Sequence, residues 1–248
     1  MKNAIFLILF LVTLFSVNSQ TLVRHQCDNL YFGFVNETGT IVIDCIYDQV
    51  ERFSEGFALV QLKSKWGYID STGKQITKLK YDAAGDFTSS GRAVVAVKKK
   101  YGFIDQTGAE IIPLKYKDVT AFSNGFATVM SKGKWGFIDV TGKSITPIKY
   151  DMIWQFDGGF AIVKLNEKFG SVDTTGKEIT LIKYDELRSF YEGRAAIRIG
   201  NKWGFIDQSG NELIPMQYDT VMFFSGGVAD VSMNGRHFKI DKAGNEVK

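Results

Sequence analysis

Short apolar stretches broken by polar turns run along the whole chain, and they return at a fixed interval. In "GFALVQL" (residues 56–62) and "WGYID" (66–70), apolar and partly β-branched positions reach strand length and stop. A tight turn at Lys63-Ser64 lies between them. "DSTGK" then turns the chain into "QIT", a third strand, and the "KLKYDAAGDF" that follows holds a Tyr-Asp corner and room for a fourth, short strand. Helical spacing at 3.6 residues is absent beyond the first residues of the chain, so the pattern predicts an all-β protein.

The interval can be read from the turn glycines, Gly39, Gly73, Gly108, Gly142, Gly176, Gly210 and Gly244, which are 34 residues apart with one step of 35. The acidic or amide position before them keeps step, at Asn36, Asp70, Asp105, Asp139, Asp173, Asp207 and Asp241. Tyr47, Tyr81, Tyr116, Tyr150, Tyr184 and Tyr218 follow, each with a phenylalanine six residues later: Phe53, Phe87, Phe122, Phe156, Phe190 and Phe224. The longer step has a visible source, since "FTSSGRA" at Phe87 carries one residue more than "FSEGFA" at Phe53, as a loop insertion would. Self-similarity at such a period marks a repeat architecture in which no unit buries its apolar surface alone.

Read this way, Asp70, Asp139 and Asp207 with Gly73, Gly142 and Gly210 are turn residues. The carboxylate bonds backbone N–H groups inside the turn and the glycine supplies its left-handed residue. Gly67, Gly136 and Gly204 fall inside strands, where glycine is costly unless another backbone or ring comes close. Trp66, Trp135 and Trp203, with the corner tyrosines and phenylalanines, fill the space between units. The expected architecture is an array of about seven 34-residue β-hairpin or small-sheet repeats, near 22–64, 65–99, 100–133, 134–167, 168–201, 202–235 and 236–248. A closed, propeller-like ring is favoured, and an open twisted β-solenoid fits the same pattern. "TLVRHQ" would supply the first strand of the first unit.

The motif K-W-G-[FY]-I-D-x-[TS]-G-K, then I-x-P, K-Y-D and F-x-x-G-x-A, resembles the bacterial WG-repeat (KWG-repeat) family across residues 22–248. The match is strong from Lys65, Lys100, Lys134 and Lys202 and weaker from Lys168, where Phe169 replaces tryptophan. The end units "YFGFVNETGT" and "RHFKIDKAGN" depart most, as capping units would. The resemblance implies a repeat scaffold and adds little chemistry.

Composition changes this picture mainly at the ends. With 45% hydrophobic and 23% charged residues the chain is globular in type, and three prolines exclude a proline-rich linker. Met1-Lys2-Asn3 and the uncharged run at 4–17 precede "VNS", the pattern of a secretory signal peptide over 1–19, which leaves one repeat domain over 20–248. The run is shorter than the roughly 20 residues that span a bilayer, so no transmembrane anchor is expected after cleavage. The expected location is periplasmic or extracellular. Thirty basic residues less Lys2, against 27 acidic ones, leave about +2, too little to imply nucleic acid. In an oxidising compartment Cys27 and Cys45 could pair across a short loop; two separate buried thiols are the alternative.

Candidate chemistry is sparse. His25 and His237, the two histidines, both fall in end units, so a Ser-His-Asp or Cys-His arrangement has few possible bases. The aspartates occupy repeat positions, and each Asp-x-Thr-Gly turn supplies one carboxylate against the six to eight oxygens calcium takes. No metal or cofactor is expected. The series Phe32, Trp66, Tyr101, Trp135, Phe169, Trp203 and His237 could form an aromatic platform, or pack between units. Lys80, Lys115, Lys149 and Lys183 form a basic row, offset by Asp82, Asp151 and Asp185. Trp154 departs from its repeat, where Arg52, Asp86, Ala121, Arg188 and Phe223 are read as equivalents, and is the candidate binding residue. The expected function is an exported, non-enzymatic scaffold that binds a protein or cell-envelope component. The alternative is a glycan-binding module that uses exposed aromatics.

Overall fold

A computed structural model of the chain describes residues 21–28 and 30–247; the signal-peptide expectation for 1–19 lies outside them. They form seven small antiparallel sheets in chain order, with no helix. Sheet 1 holds Val23–Gln26, Phe32–Val35 and Ile41–Tyr47. Sheets 2 to 6 span 49–81, 83–116, 118–150, 152–184 and 186–218, and sheet 7 spans 220–247. Each of these six begins with a two-residue strand and continues through two longer strands; in sheets 2 to 6 a last segment then reaches the next corner. In sheets 2 and 4 that last segment holds on only through the bridges Trp66–Tyr81, Ile69–Gln75, Trp135–Tyr150 and Ile138–Ser144.

The sheets are offset from the repeat units read from sequence. Lys65, Lys100, Lys134, Lys168 and Lys202 each open the second long strand of a sheet already started. The cause is the turn before them. Lys63 and Ser64 both have positive φ (50° and 60°), as do Lys98 and Lys99 (50° and 57°). That is the two-residue hairpin whose twist matches its flanking strands. It binds "GFALVQL" to "KWGYID" within one sheet: Val60 pairs with Gly67 and Leu62 with Lys65. The sheet boundary is the Tyr-Asp corner, so the short strand after each tyrosine belongs to the following sheet: Ala83–Ala84 pairs with Arg92–Val97.

The core lies between sheets, and each buried cluster joins two neighbours. Phe34, Ile43 and Tyr47 of sheet 1 meet Val50, Ala58, Val60 and Ile69 of sheet 2. Phe103, Ile112 and Tyr116 of sheet 3 meet Phe122, Ala127, Val129 and Ile138 of sheet 4. The corner phenylalanines set the spacing: Phe53 packs on Phe34 at 4.8 Å, Phe87 on Tyr68 at 5.0 Å, Phe122 on Phe103 at 4.7 Å, Phe156 on Phe137 at 4.2 Å and Phe224 on Phe205 at 4.9 Å between ring centres.

The strand glycines answer to a bulge. In sheet 3, Phe103 pairs with Ile112 and Tyr101 with Tyr116, so three residues oppose Gly102 alone. A Cβ on Gly102 would lie 2.4 Å from the Ile112 carbonyl oxygen; on Gly204 it would lie 2.5 Å from that of Ile214. In sheet 7 the last described strand is Glu246–Val247, and Phe238 stands at the glycine position.

The blades are propeller-like, but the end faces stay open. At the position of the buried Val60 and Val95, sheet 1 shows an exposed His25. At the position of Tyr68 and Phe103, sheet 7 shows an exposed Lys239, paired with Asp230 at 3.0 Å. The repeated small sheets are thus propeller-like, as expected from the sequence; no closed barrel is found among the described residues, and the outer faces of sheets 1 and 7 are exposed at His25 and Lys239.

Candidate binding site

Behind each short strand the chain makes one loop, held by the same hydrogen bond every time. Its fourth residue past the corner tyrosine donates its N–H across to the first long strand: Glu51 to Leu59, Gly85 to Val94, Thr120 to Thr128, Trp154 to Ile162, Arg188 to Ala196 and Met222 to Asp230, at 2.8–3.0 Å. These are the true counterparts of Trp154. The sequence alignment was one residue out at Arg52, Asp86, Ala121 and Phe223, and right at Arg188. The scaffold is constant, and the side chains it displays vary from loop to loop.

In sheets 5 to 7 they become aromatic. Trp154 is 41% exposed, Tyr191 47%, Phe223 53% and Met222 57%. Tyr191 stands where Ser54, Ser123, Asp157 and Ser225 stand elsewhere, and packs on Phe223 at 4.7 Å. Together with Phe160 and Phe190, whose rings lie 5.2 Å apart, these side chains line a cavity of 470 Å³. Phe190 differs from the other corner phenylalanines because Ser171 replaces the ring on which it would pack; the Ser171 N–H still bonds the Thr180 hydroxyl at 2.8 Å, as those of Tyr68 and Phe137 bond Thr77 and Thr146.

Most of the polar groups around the cavity are already engaged; the exposed Asp157 carboxylate and the Ser189 hydroxyl also line it. Arg188 donates to Glu186 at 3.0 Å and to the Val221 carbonyl at 3.1 Å, and stacks 4.0 Å above the Trp203 ring. Arg194 donates to the Lys242 and Gly193 carbonyls, and Gln155 to the Thr120 hydroxyl at 3.0 Å. Glu192 accepts from the N–H groups of Gly226 and Gly227 and pairs with Lys242 at 3.0 Å, tying the loop of sheet 6 to that of sheet 7. The Lys242 ammonium, then these amides, hold the Glu192 carboxyl below its usual range. The walls are therefore stiff, and most of their free surface is apolar.

The other sequence candidates lie elsewhere. Asp70, Asp139 and Asp207 each accept two backbone N–H bonds inside their own turns, and Asn36 does the same in sheet 1. Gly73, Gly142 and Gly210 have φ of 84°, 86° and 83°. Gly67 and Gly136 lie under the bulge of their last strand, with a Cβ meeting backbone oxygens at 3.1 and 2.9 Å. Trp66 and Trp135 are half-buried between sheets, and Trp203 is 7% exposed. Cys27 and Cys45 form a disulfide that ties the end of the first strand to the third. Among the described residues, no group of three or more His, Cys, Asp or Glu side chains is placed to hold a metal ion. No helix there is long and apolar enough to cross a membrane.

The family profile "WG containing repeat" matches residues 32–66, 66–101, 101–135, 135–169, 169–203 and 203–236. This chain belongs to the WG-repeat family. No curated protein matches the WG-repeat chain. Among solved structures, Kluyveromyces lactis Hsv2 with its loop 6CD replaced by a Gly-Ser linker is similar at 12% identity and a TM-score of 0.40, over 85% of each chain. A eukaryotic initiation factor is similar at 10% identity and 0.44, over 92% of this chain and 73% of that one. YCF48 bound to D1 peptide is similar at 10% identity and 0.32, over 77% and 78%.

Proposed function

We propose that this WG-repeat chain is an exported, non-enzymatic scaffold that binds a protein partner through the aromatic cavity of sheets 5 to 7. One observation carries the reading: exposed Trp, Tyr, Phe and Met side chains gather on a rim where both arginines and Glu192 are already bonded within the fold. Such a surface offers apolar contact with few free donors or acceptors, and Trp, Tyr, Phe and Met are the residues enriched in protein interfaces. Export is supported by the leader pattern at 1–19 and by the Cys27–Cys45 disulfide, a bond of oxidising compartments. The absence of catalysis is supported by the place of the two histidines, both exposed on the outer faces of the end sheets.

Selection of peptides from a random library on the purified protein tests the reading. Peptides with aromatic or branched aliphatic anchors are expected, and Trp154→Ala and Phe223→Ala should each weaken them by about tenfold or more. Glycan binding is a second reading, favoured by the open faces of Trp154 and Tyr191. Glycan-array signal lost on Trp154→Ala, with no peptide selected, would replace the first reading by the second. The exported state predicts a mature chain that begins at Gln20, to be read from the intact mass of protein recovered outside the cytoplasm.

A further inference from the structure

The corner between sheets 3 and 4 breaks a rule that the other corners keep. After Tyr47, Tyr81, Tyr150, Tyr184 and Tyr218 comes an aspartate whose carboxylate caps the tip of the next hairpin. Asp48 accepts from the Lys63 N–H at 2.6 Å, Asp82 from Lys98 at 2.6 Å, Asp151 from Asn166 at 2.7 Å, Asp185 from Gly200 at 2.6 Å and Asp219 from Asn234 at 2.7 Å. In four of these corners the same carboxylate also pairs with the lysine that opens the preceding K-[WF]-G strand: Lys65–Asp82, Lys134–Asp151, Lys168–Asp185 and Lys202–Asp219.

Lys117 occupies this position after Tyr116. Its backbone is placed as the aspartates are, with its N–H donating to Met130 at 2.9 Å as that of Asp82 donates to Ala96 at 2.8 Å. The groups that converge on a carboxylate elsewhere, the Lys100 ammonium and the Lys132 N–H, therefore meet a lysine. The neighbouring row breaks at the same place. Lys80, Lys149 and Lys183 pair with Glu110, Glu178 and Glu212 of the next sheet at 2.8 Å, but the partner position for Lys115 is Ser144. Among the described residues, none of the lysines at this corner, Lys100, Lys115, Lys117 and Lys132, has an ion pair, and Lys98 and Lys99 of the adjoining hairpin tip are exposed. The nearest carboxylate in sequence, Asp118, turns back to the Val119 N–H at 2.8 Å.

We infer that this corner is an oxyanion site that takes a carboxylate side chain from an acidic peptide, in the place that an aspartate of the chain itself fills at the other corners. The sibling corners favour a carboxylate: they show that this backbone accepts one with its two oxygens split between an N–H and an ammonium. Clustered lysines add long-range attraction for an extended acidic segment. The hairpin tips lie at the opposite end of the sheets from the Trp154 cavity, so this site is independent of that reading.

A fluorescein-labelled oligo-aspartate peptide, titrated with the full-length mature protein and followed by anisotropy, tests it. Binding is expected at low ionic strength and should weaken as salt rises. Lys117→Ser should lower affinity by about tenfold, the worth of one charged hydrogen-bonding site, whereas Lys99→Ser, with the same change in net charge, should lower it less than about twofold. Lys117→Asp should abolish binding while leaving Tm unchanged or raised, because it restores the pairing seen at the sibling corners. Equal losses for Lys117→Ser and Lys99→Ser overturn the site, as does a fall in Tm on Lys117→Asp. Tighter binding of polyphosphate than of oligo-aspartate at matched charge, with the same dependence on Lys117, overturns the peptide in favour of a phosphate polymer.

Discussion

A methyl group on Gly204 would sit 2.5 Å from the Ile214 carbonyl oxygen, in backbone that a bulge holds in place. Gly204→Ala should therefore cost about 1–3 kcal/mol, the range for forced overpacking, measured as a fall in the urea midpoint. Gly125→Ser, at a loop glycine with nothing within 4 Å but a φ of 84°, should lose stability through backbone strain alone. The turn carboxylates answer to pH. The Thr107 and Thr141 hydroxyls, then the turn amides, hold the Asp105 and Asp139 carboxyls below the usual aspartate range; Lys134 and Lys202 do the same for Asp151 and Asp219. A carboxyl whose folded pKa is depressed stabilises the fold above its unfolded value and loses that contribution as pH falls through the folded one. The urea midpoint should be flat from neutrality down to about pH 5 and decline below about pH 4. These roles were legible in the sequence, because a turn aspartate and a positive-φ glycine are local requirements that repeat with the turn. Trp154 was legible as a departure from the repeat. Its counterparts were misplaced because the loop around it has no residue type that pins the alignment, and the N–H bond to the facing strand decides the register.

At the scale of the element, the first sheet depends on its staple. Val23–Gln26 is an exposed strand on an open end face, and the disulfide between Cys27 and Cys45, 18 residues apart, fastens it. Cys27→Ser with Cys45→Ser should lower stability by about 3 kcal/mol, the loop-closure entropy for that separation, with thermal melts in oxidising buffer as the readout. Strands and hairpins could be read from the chain, but where one sheet ends and the next begins could not, since a strictly periodic pattern can be cut anywhere. The tight turn at Lys63-Ser64 was legible, and its positive φ values show that it is the two-residue hairpin that holds the strands on either side in one sheet. The likeness of the units also concealed what Ser171 does. It reads as one more polar residue in "KFGSVD", yet it stands where Phe137 and Phe205 anchor the next corner phenylalanine.

Across the whole molecule, buried clusters join consecutive sheets, and both the cavity and the lysine corner exist only where neighbours meet. Neither could be read from one repeat. Tyr191, Met222 and Phe223 are unremarkable in sequence until three loops are set side by side. Phe137→Ala, which empties the contact between sheets 4 and 5, should cost about 3–5 kcal/mol and should split the unfolding transition if neighbour contacts hold the two halves together. The exposed ends follow from His25 and Lys239: inner sheets hold Val or Ile at the first position, and at the second all but sheet 5, with its Ser171, hold Tyr or Phe. The central claim is that a sheet of this chain is stable only against its neighbours. Urea unfolding by circular dichroism, on residues 118–150 alone and on residues 83–184, tests it most directly. The account predicts no cooperative transition for the single sheet and a cooperative one for the three; a cooperative transition in 118–150 by itself would contradict it.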